Sequence, residues 1–158
     1  MENPEKPDVV IFDGNYPAWP WVMRNKNDQL ICAFREDGLT EREDSGHGFS
    51  PLGKLMVAFS LDKGRTWSMP NTIVDNPGYD DACPAIALLP DGTLLASYYS
   101  RLSAGGRSQA WLTRSIDGGY SWEQSVMLSS EDTRVRGALI SLSNGDLLVP
   151  IYRSMYSE

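Results

Sequence analysis

Ser60-Leu61-Asp62-Lys63-Gly64-Arg65-Thr66-Trp67, or SLDKGRTW, decides how this 158-residue chain is read. Serine, aspartate, glycine, threonine and tryptophan at these spacings suit either a catalytic site or a turn between two strands. A carboxylate placed between strands accepts hydrogen bonds from the N–H groups just after it, and Gly64 can adopt the positive φ that closes the loop. The hydroxyls of Ser60 and Thr66 can bond the same backbone, while Trp67 begins the returning strand and offers a large apolar surface to the sheet. A carboxylate that already accepts several such bonds is held ionised and is poorly placed to exchange a proton. The octet reads as a turn.

It also recurs. Ser115 to Trp122, SIDGGYSW, repeats the frame Ser-x-Asp-x-Gly-x-(Thr/Ser)-Trp at a separation of 55, with Ser115, Asp117, Gly119, Ser121 and Trp122 answering the first copy. The flanks repeat as well: NKNDQLICAF (Asn25 to Phe34), LPDGTLLASY (Leu89 to Tyr98) and LSNGDLLVPI (Leu142 to Ile151) each set a polar turn before an apolar strand. Self-similarity at this period marks a repeat architecture. Each unit reads as four antiparallel strands. In the first they are expected near Trp21 to Arg24, Leu30 to Arg35, Leu55 to Ser60 and Trp67 to Val74, and the second runs similarly from Ala85 to Leu128. No segment sustains a 3.6-residue apolar period with caps, so almost no helix is expected.

Bulk properties agree with a folded domain and narrow its partners. Hydrophobic residues make up 41% and charged residues 22%, far from the signature of disorder. Fourteen Lys+Arg against 21 Asp+Glu give a net charge of -7 with no basic run, which argues against nucleic acid. No apolar run is long enough to span a bilayer, and MENPEKPD lacks the pattern of a secretory signal. As written the chain reads as cytoplasmic; a signal removed and replaced by Met would look the same and make it secreted. Cys32 and Cys83 form neither a CxxC pair nor a disulfide framework and read as buried free thiols.

The octet resembles the Asp-box of sialidase-like proteins, the BNR repeat, and with its flanking segments the resemblance covers nearly the whole chain from Trp19 onward. It implies an all-β fold, a β-propeller of sialidase type, with six four-stranded antiparallel blades and Asp-boxes at the outer turn between third and fourth strands. That matches the four-strand unit found above and protects sheet edges by radial repetition. The chain then supplies about two and a half blades of a six-bladed ring. Residues 1–158 are expected to form a single partial propeller domain, with blade 1 at about 18–75, blade 2 at about 83–129, the start of blade 3 at about 136–154, and a strand at 9–12 completing another blade. Strands near Leu139 to Ser143 and Leu147 to Tyr152 begin the third unit. Two chains could close one ring as a homodimer, Val9 to Phe12 of one lying beside the last strands of the other; alternatively the chain is a fragment of a longer one.

In such propellers the ligand site lies on the axis, at the face opposite the Asp-boxes. The resemblance implies three arginines on a substrate carboxylate, an aspartate acid, and a tyrosine nucleophile helped by a glutamate. This chain departs from that set. Where the first arginine stands in Arg-Ile-Pro it has Ala18-Trp19-Pro20, and where the aspartate acid stands it has Gly53 and Lys54. Polar residues nevertheless gather at that face. FREDGLTEREDSGHG carries Arg35, Glu36, Asp37, Glu41, Glu43, Asp44 and the one histidine, His47; GYDDACP carries Asp80 and Asp81; SRLSAGGRS carries Arg101 and Arg107; TRVRG carries Arg134 and Arg136.

The expected catalytic residues are therefore His47, Asp81 and Asp80, and the substrate-binding ones Arg35, Arg136 and Arg101. Each also has a plainer role. Arg35 can sit in a surface ion pair, His47 can be a solvated loop residue, and Asp80 and Asp81 can bond backbone N–H groups where the strand begins. No cofactor or metal is expected, since the acidic run lacks the Asp-x-Asp-x-Asp-Gly spacing of a calcium loop. The implied ligand is a glycan or other small anion. Three readings follow: a sialidase-superfamily glycoside hydrolase acting on or recognising anionic or complex glycans, a non-catalytic carbohydrate-binding propeller, and a protein-interaction scaffold.

Overall fold

The computed structural model describes residues 9–38, 49–102, 106–137 and 139–153, and among them every regular element is a strand. Strands β1 (Ala18–Arg24), β2 (Leu30–Glu36), β3 (Lys54–Ser60) and β4 (Asn71–Val74) form one antiparallel sheet in chain order. Strands β5 (Asp80–Leu88), β6 (Leu94–Arg101), β7 (Ser108–Ser115) and β8 (Val126–Ser129) form a second with the same order. Each sheet has the make-up expected of one propeller blade, and among the described residues the expectation of an all-β chain almost free of helix holds.

Both Asp-box octets fold as turns, and their bonds correspond one to one. Asp62 Oδ1 accepts from the Thr66 N–H (2.8 Å) and the Ser60 hydroxyl (2.8 Å), Oδ2 accepts from the Thr66 hydroxyl (2.6 Å), and Ser60 Oγ accepts from the Gly64 N–H (2.8 Å). In the second copy Asp117 takes the same three bonds from Ser121 and Ser115, and the Gly119 N–H donates to Ser115 Oγ. Gly64 and Gly119 have φ of 88° and 100°, the left-handed values that glycine tolerates. The hydroxyl and N–H of Thr66 hold the Asp62 carboxyl down at about 2, and those of Ser121 hold the Asp117 carboxyl well below the ordinary carboxylate range.

The fourth strands begin later than expected, at Asn71 and Val126 rather than at the tryptophans. The indole N–H of Trp67 donates to Gly64 O (3.2 Å) and that of Trp122 to Gly119 O (3.1 Å), so each ring closes its own turn. Pro70, with no N–H to give, then stands just before β4.

The principal core lies between the blades. Ile31, Ala33, Leu55 and Val57 of the first sheet pack with Ile86, Leu94, Ala96 and Tyr98 of the second. Because side chains alternate along a strand, Cys32 and Phe34 of β2 face the other way. They are covered by Ile11 and Phe12. Val9 to Phe12, expected as a strand, is in no strand within this chain and acts as that cover.

The third unit differs from its expectation by being broken. Strand β9 (Thr133–Val135) pairs with β12 (Ile151–Arg153), and β10 (Ile140–Ser141) with β11 (Leu147–Leu148), in place of two continuous strands. Pro150 cannot donate to the ladder, and Gly137 (φ 132°) lies against its ring.

Candidate functional site

The innermost strands of all three units are interrupted at one equivalent position. Ala18 pairs with Arg35, Ala82 with Tyr99 and Val135 with Ile151, and in each case the register shifts or the ladder breaks just afterwards. The residues that follow are Trp19-Pro20, Cys83-Pro84 and Arg136-Gly137. Trp19 (φ 50°) and Cys83 (φ 55°) take left-handed backbone that costs a non-glycine residue on the order of 1–3 kcal/mol. Bulges of this kind re-aim side chains and concentrate beside sites. These three converge, lining one cleft of about 220 Å³ with Trp21 on its wall. The two Asp-box turns lie at the opposite strand ends, beside Leu30 and Leu94.

Trp19, Cys83 and Arg136 bring an indole, a thiol and a guanidinium together. Burial pushes the Cys83 thiol up, against the opposing pull of Arg136 beside it. Among the described residues no carboxylate pairs with Arg136. None of the residues lining the cleft is acidic.

Next to the cleft is a buried ion network. Arg35, 0% exposed, donates from Nε (2.9 Å) and Nη2 (2.7 Å) to Asp80 Oδ1 and from Nη1 to Asp37 Oδ2 (3.1 Å). Arg101 Nη2 donates to the other oxygen of Asp80 (2.8 Å), and its guanidinium lies 5.5 Å from the Phe49 ring. Trp19 joins network to cleft, because its ring lies 5.5 Å from Arg35 Cζ, with Tyr16 at 5.7 Å. Gly53 is required by this packing: a Cβ there would overlap Asp80 Oδ1 and stand 2.9 Å from Arg35 Nη2. The space of a side chain at position 53 is thus taken by the Asp80 carboxylate.

Of the residues singled out from sequence, Arg35, Asp80 and Arg101 meet in this network, and Arg35 is at no surface. Arg136 stands in the cleft. Asp81, next along β5, faces the other way into the seam between the blades, where it accepts from the Asn76 N–H (2.9 Å), Asn76 Nδ2 (3.0 Å) and the Ser100 hydroxyl. Burial raises its carboxyl, and those bonds only partly oppose the rise. His47 lies outside the described residues, as do Glu41, Glu43 and Asp44. Among the described residues no group of three His, Cys, Asp or Glu is placed to hold a metal ion. Trp19, Trp21 and Cys83 were not expected as site residues. The triplets Ala-Trp-Pro, Ala-Cys-Pro and Val-Arg-Gly, one per unit at one position of the strand, carried the signal.

The model of the BNR repeat-like domain family matches residues 29–158. No curated protein matches the chain. Its fold is similar to that of a protein of unknown function from Dyadobacter fermentans, at 26% identity and a TM-score of 0.73, over 88% of this chain and 48% of the other. It is also similar to a Hadza microbial sialidase (17%, TM-score 0.66, 85% of this chain and 32% of that one) and to an endo-arabinase from Bacteroides thetaiotaomicron (16%, TM-score 0.60, 90% and 52%). The latter two are glycoside hydrolases. The chain spans about half the length of these proteins or less.

Proposed function

Since the chain belongs to the BNR repeat-like domain family, we propose that it is the glycan-gripping part of a glycoside-hydrolase-type propeller that recognises an anionic sugar at the axial cleft. The observation that carries this reading is Arg136, a cation with no carboxylate partner among the described residues, set in a cleft walled by Trp19 and Trp21. A guanidinium offers paired N–H donors to a carboxylate. The indoles supply apolar faces to a sugar ring. Recognition is favoured over hydrolysis as this chain's own contribution, because Asp80 and Asp37 are already bonded to guanidinium groups. His47 is the residue of this chain to which the same proposal gives any proton transfer.

Titrating the full chain with N-acetylneuraminic acid while following tryptophan fluorescence tests the reading. Saturable binding that weakens about tenfold or more in Arg136→Ala, as for loss of a charge-assisted bond, is expected. Equal affinity in wild type and variant overturns it. A fluorogenic sialoside assayed alongside, with His47→Ala, separates hydrolysis from recognition.

The ring is completed, in the same proposal, either by a second copy or by the remainder of a longer chain. The support is the open apolar side of the third unit, where Ile140, Leu142, Leu148 and Ile151 are exposed. Light scattering of the full-length protein distinguishes dimer from monomer.

A further inference from the structure

Inward along the seam between the two complete blades the packing is aliphatic, with Leu55, Val57, Ile86 and Leu94 in contact. Towards the perimeter the same seam opens into a cavity of about 410 Å³, within the roughly 300–1,000 Å³ range of small-ligand sites. Its lining changes character there: Asp75, Asn76 and Tyr79 come from the segment joining β4 to β5, and Trp111, Gln124 and Ser125 from the second blade. It shares no residue with the axial cleft.

We infer that this seam is a second binding site, for a neutral saccharide ring. The charge of the lining selects the class. It includes the carboxylate of Asp75 and that of Glu123, which is already paired with Arg114 (2.7 Å), and no Lys or Arg, so nothing in the lining attracts an anionic ligand. A bare metal ion finds no ligand set, since no group of three His, Cys, Asp or Glu is placed for one among the described residues. Neutral hydroxyls are both donors and acceptors and need a wall that offers both. The amides of Asn76 and Gln124 do so, and the Asp75 carboxylate accepts. The Trp111 indole N–H is buried and has no acceptor among the described residues, so the ring meets the cavity with its carbon surface. The rings of Trp111 and Tyr79 present apolar faces to the C–H side of a sugar.

The cavity is also held open by its own bonds. Asp81 accepts from Asn76 and Ser100, and the Tyr98 hydroxyl donates to Ser125 Oγ (2.7 Å), so the lining residues Asn76, Ser100, Tyr98 and Ser125 are held before a ligand arrives. Preorganisation of this kind lowers the cost of binding.

The test is NMR titration of the full chain with methyl α-D-glucopyranoside and L-arabinose as neutral probes and N-acetylneuraminic acid as the anionic one. Asp75→Ala and Gln124→Ala each remove a polar group from an exposed wall residue and leave the core intact. A neutral probe is expected to shift resonances of the seam, with affinity falling about tenfold in each variant and unchanged in Arg136→Ala. Absence of saturable binding by either neutral probe up to its solubility, or equal binding in both seam variants, overturns the inference. Loss of the anionic probe alone counts against the axial reading and leaves the seam standing.

Discussion

Asp80→Asn is the substitution that tests the buried network most directly. The carboxylate accepts three charge-assisted bonds, at 2.9 and 2.7 Å from Arg35 and 2.8 Å from Arg101, and both it and Arg35 are fully buried. Asparagine has the same shape but only one accepting oxygen, and its NH₂ must face one of the guanidinium groups. Arg35 then keeps Asp37 alone, at 3.1 Å, and Arg101 loses the carboxylate it pairs with. Removing one partner of a buried pair costs about 3–5 kcal/mol, because a charge is left in low dielectric without its complement. Against a total stability of about 5–15 kcal/mol this is a large fraction. Urea unfolding followed by tryptophan fluorescence reads it: with a slope of about 1–3 kcal/mol per molar, the midpoint should fall by at least about 1 M. Glu123→Gln is the internal control. It breaks the Arg114 pair (2.7 Å), which is largely exposed, and should cost less than about 1 kcal/mol. If Asp80→Asn costs no more than that control, the carboxylate is not held as described, and Asp80 becomes a candidate for the chemistry instead.

Three further outcomes follow from the same geometry. Gly53→Ala should lose about 1–3 kcal/mol in the same unfolding assay, since its methyl overlaps Asp80 Oδ1 and presses on Arg35. At low pH, Asp62, held at about 2, and Asp117, also depressed, contribute stability that is fully present above the ordinary carboxylate pKa of about 4. That contribution is lost as pH falls through their folded values, so the melting temperature should drop between about pH 4 and 2, and less steeply in Asp62→Asn. At high pH the sign reverses: burial raises Cys32 to about 11 and Tyr98 and Tyr99 to about 12. Their contribution is complete below the unfolded values and fades as pH rises through the folded ones, so melting temperature should fall from about pH 9 upward. Tyr98→Phe should flatten part of that fall while losing about 1 kcal/mol at neutral pH with the bond to Ser125.

What the sequence determined by itself is what short-range bonding determines. Ser60, Asp62, Gly64 and Thr66 lie within a few residues of one another, so their hydrogen bonds form wherever the hairpin forms, and the second octet repeats them. The four-strand unit and the nearly helix-free chain came from the same level, because alternation and turn residues act locally. Local pattern already misplaced the fourth strands, where the indoles of Trp67 and Trp122 bond back into their turns rather than starting a ladder. It also gave two continuous strands to the third unit, which Pro150 and Gly137 break.

Tertiary structure alone decided the site. Arg35 and Asp80 stand 45 positions apart, and only the stacking of one blade on the next buries them together and turns an arginine read as a surface group or an anion grip into part of the scaffold. Asp80 and Asp81 are neighbours in sequence, yet the pleat sends one carboxylate to the guanidinium network and the other to the seam. Trp19, Cys83 and Arg136 come from three separate units and meet because the inner strands are interrupted at equivalent positions that face one cleft. A turn is fixed by bonds that its own few residues make, whereas a cleft is fixed by how separate sheets are set against each other.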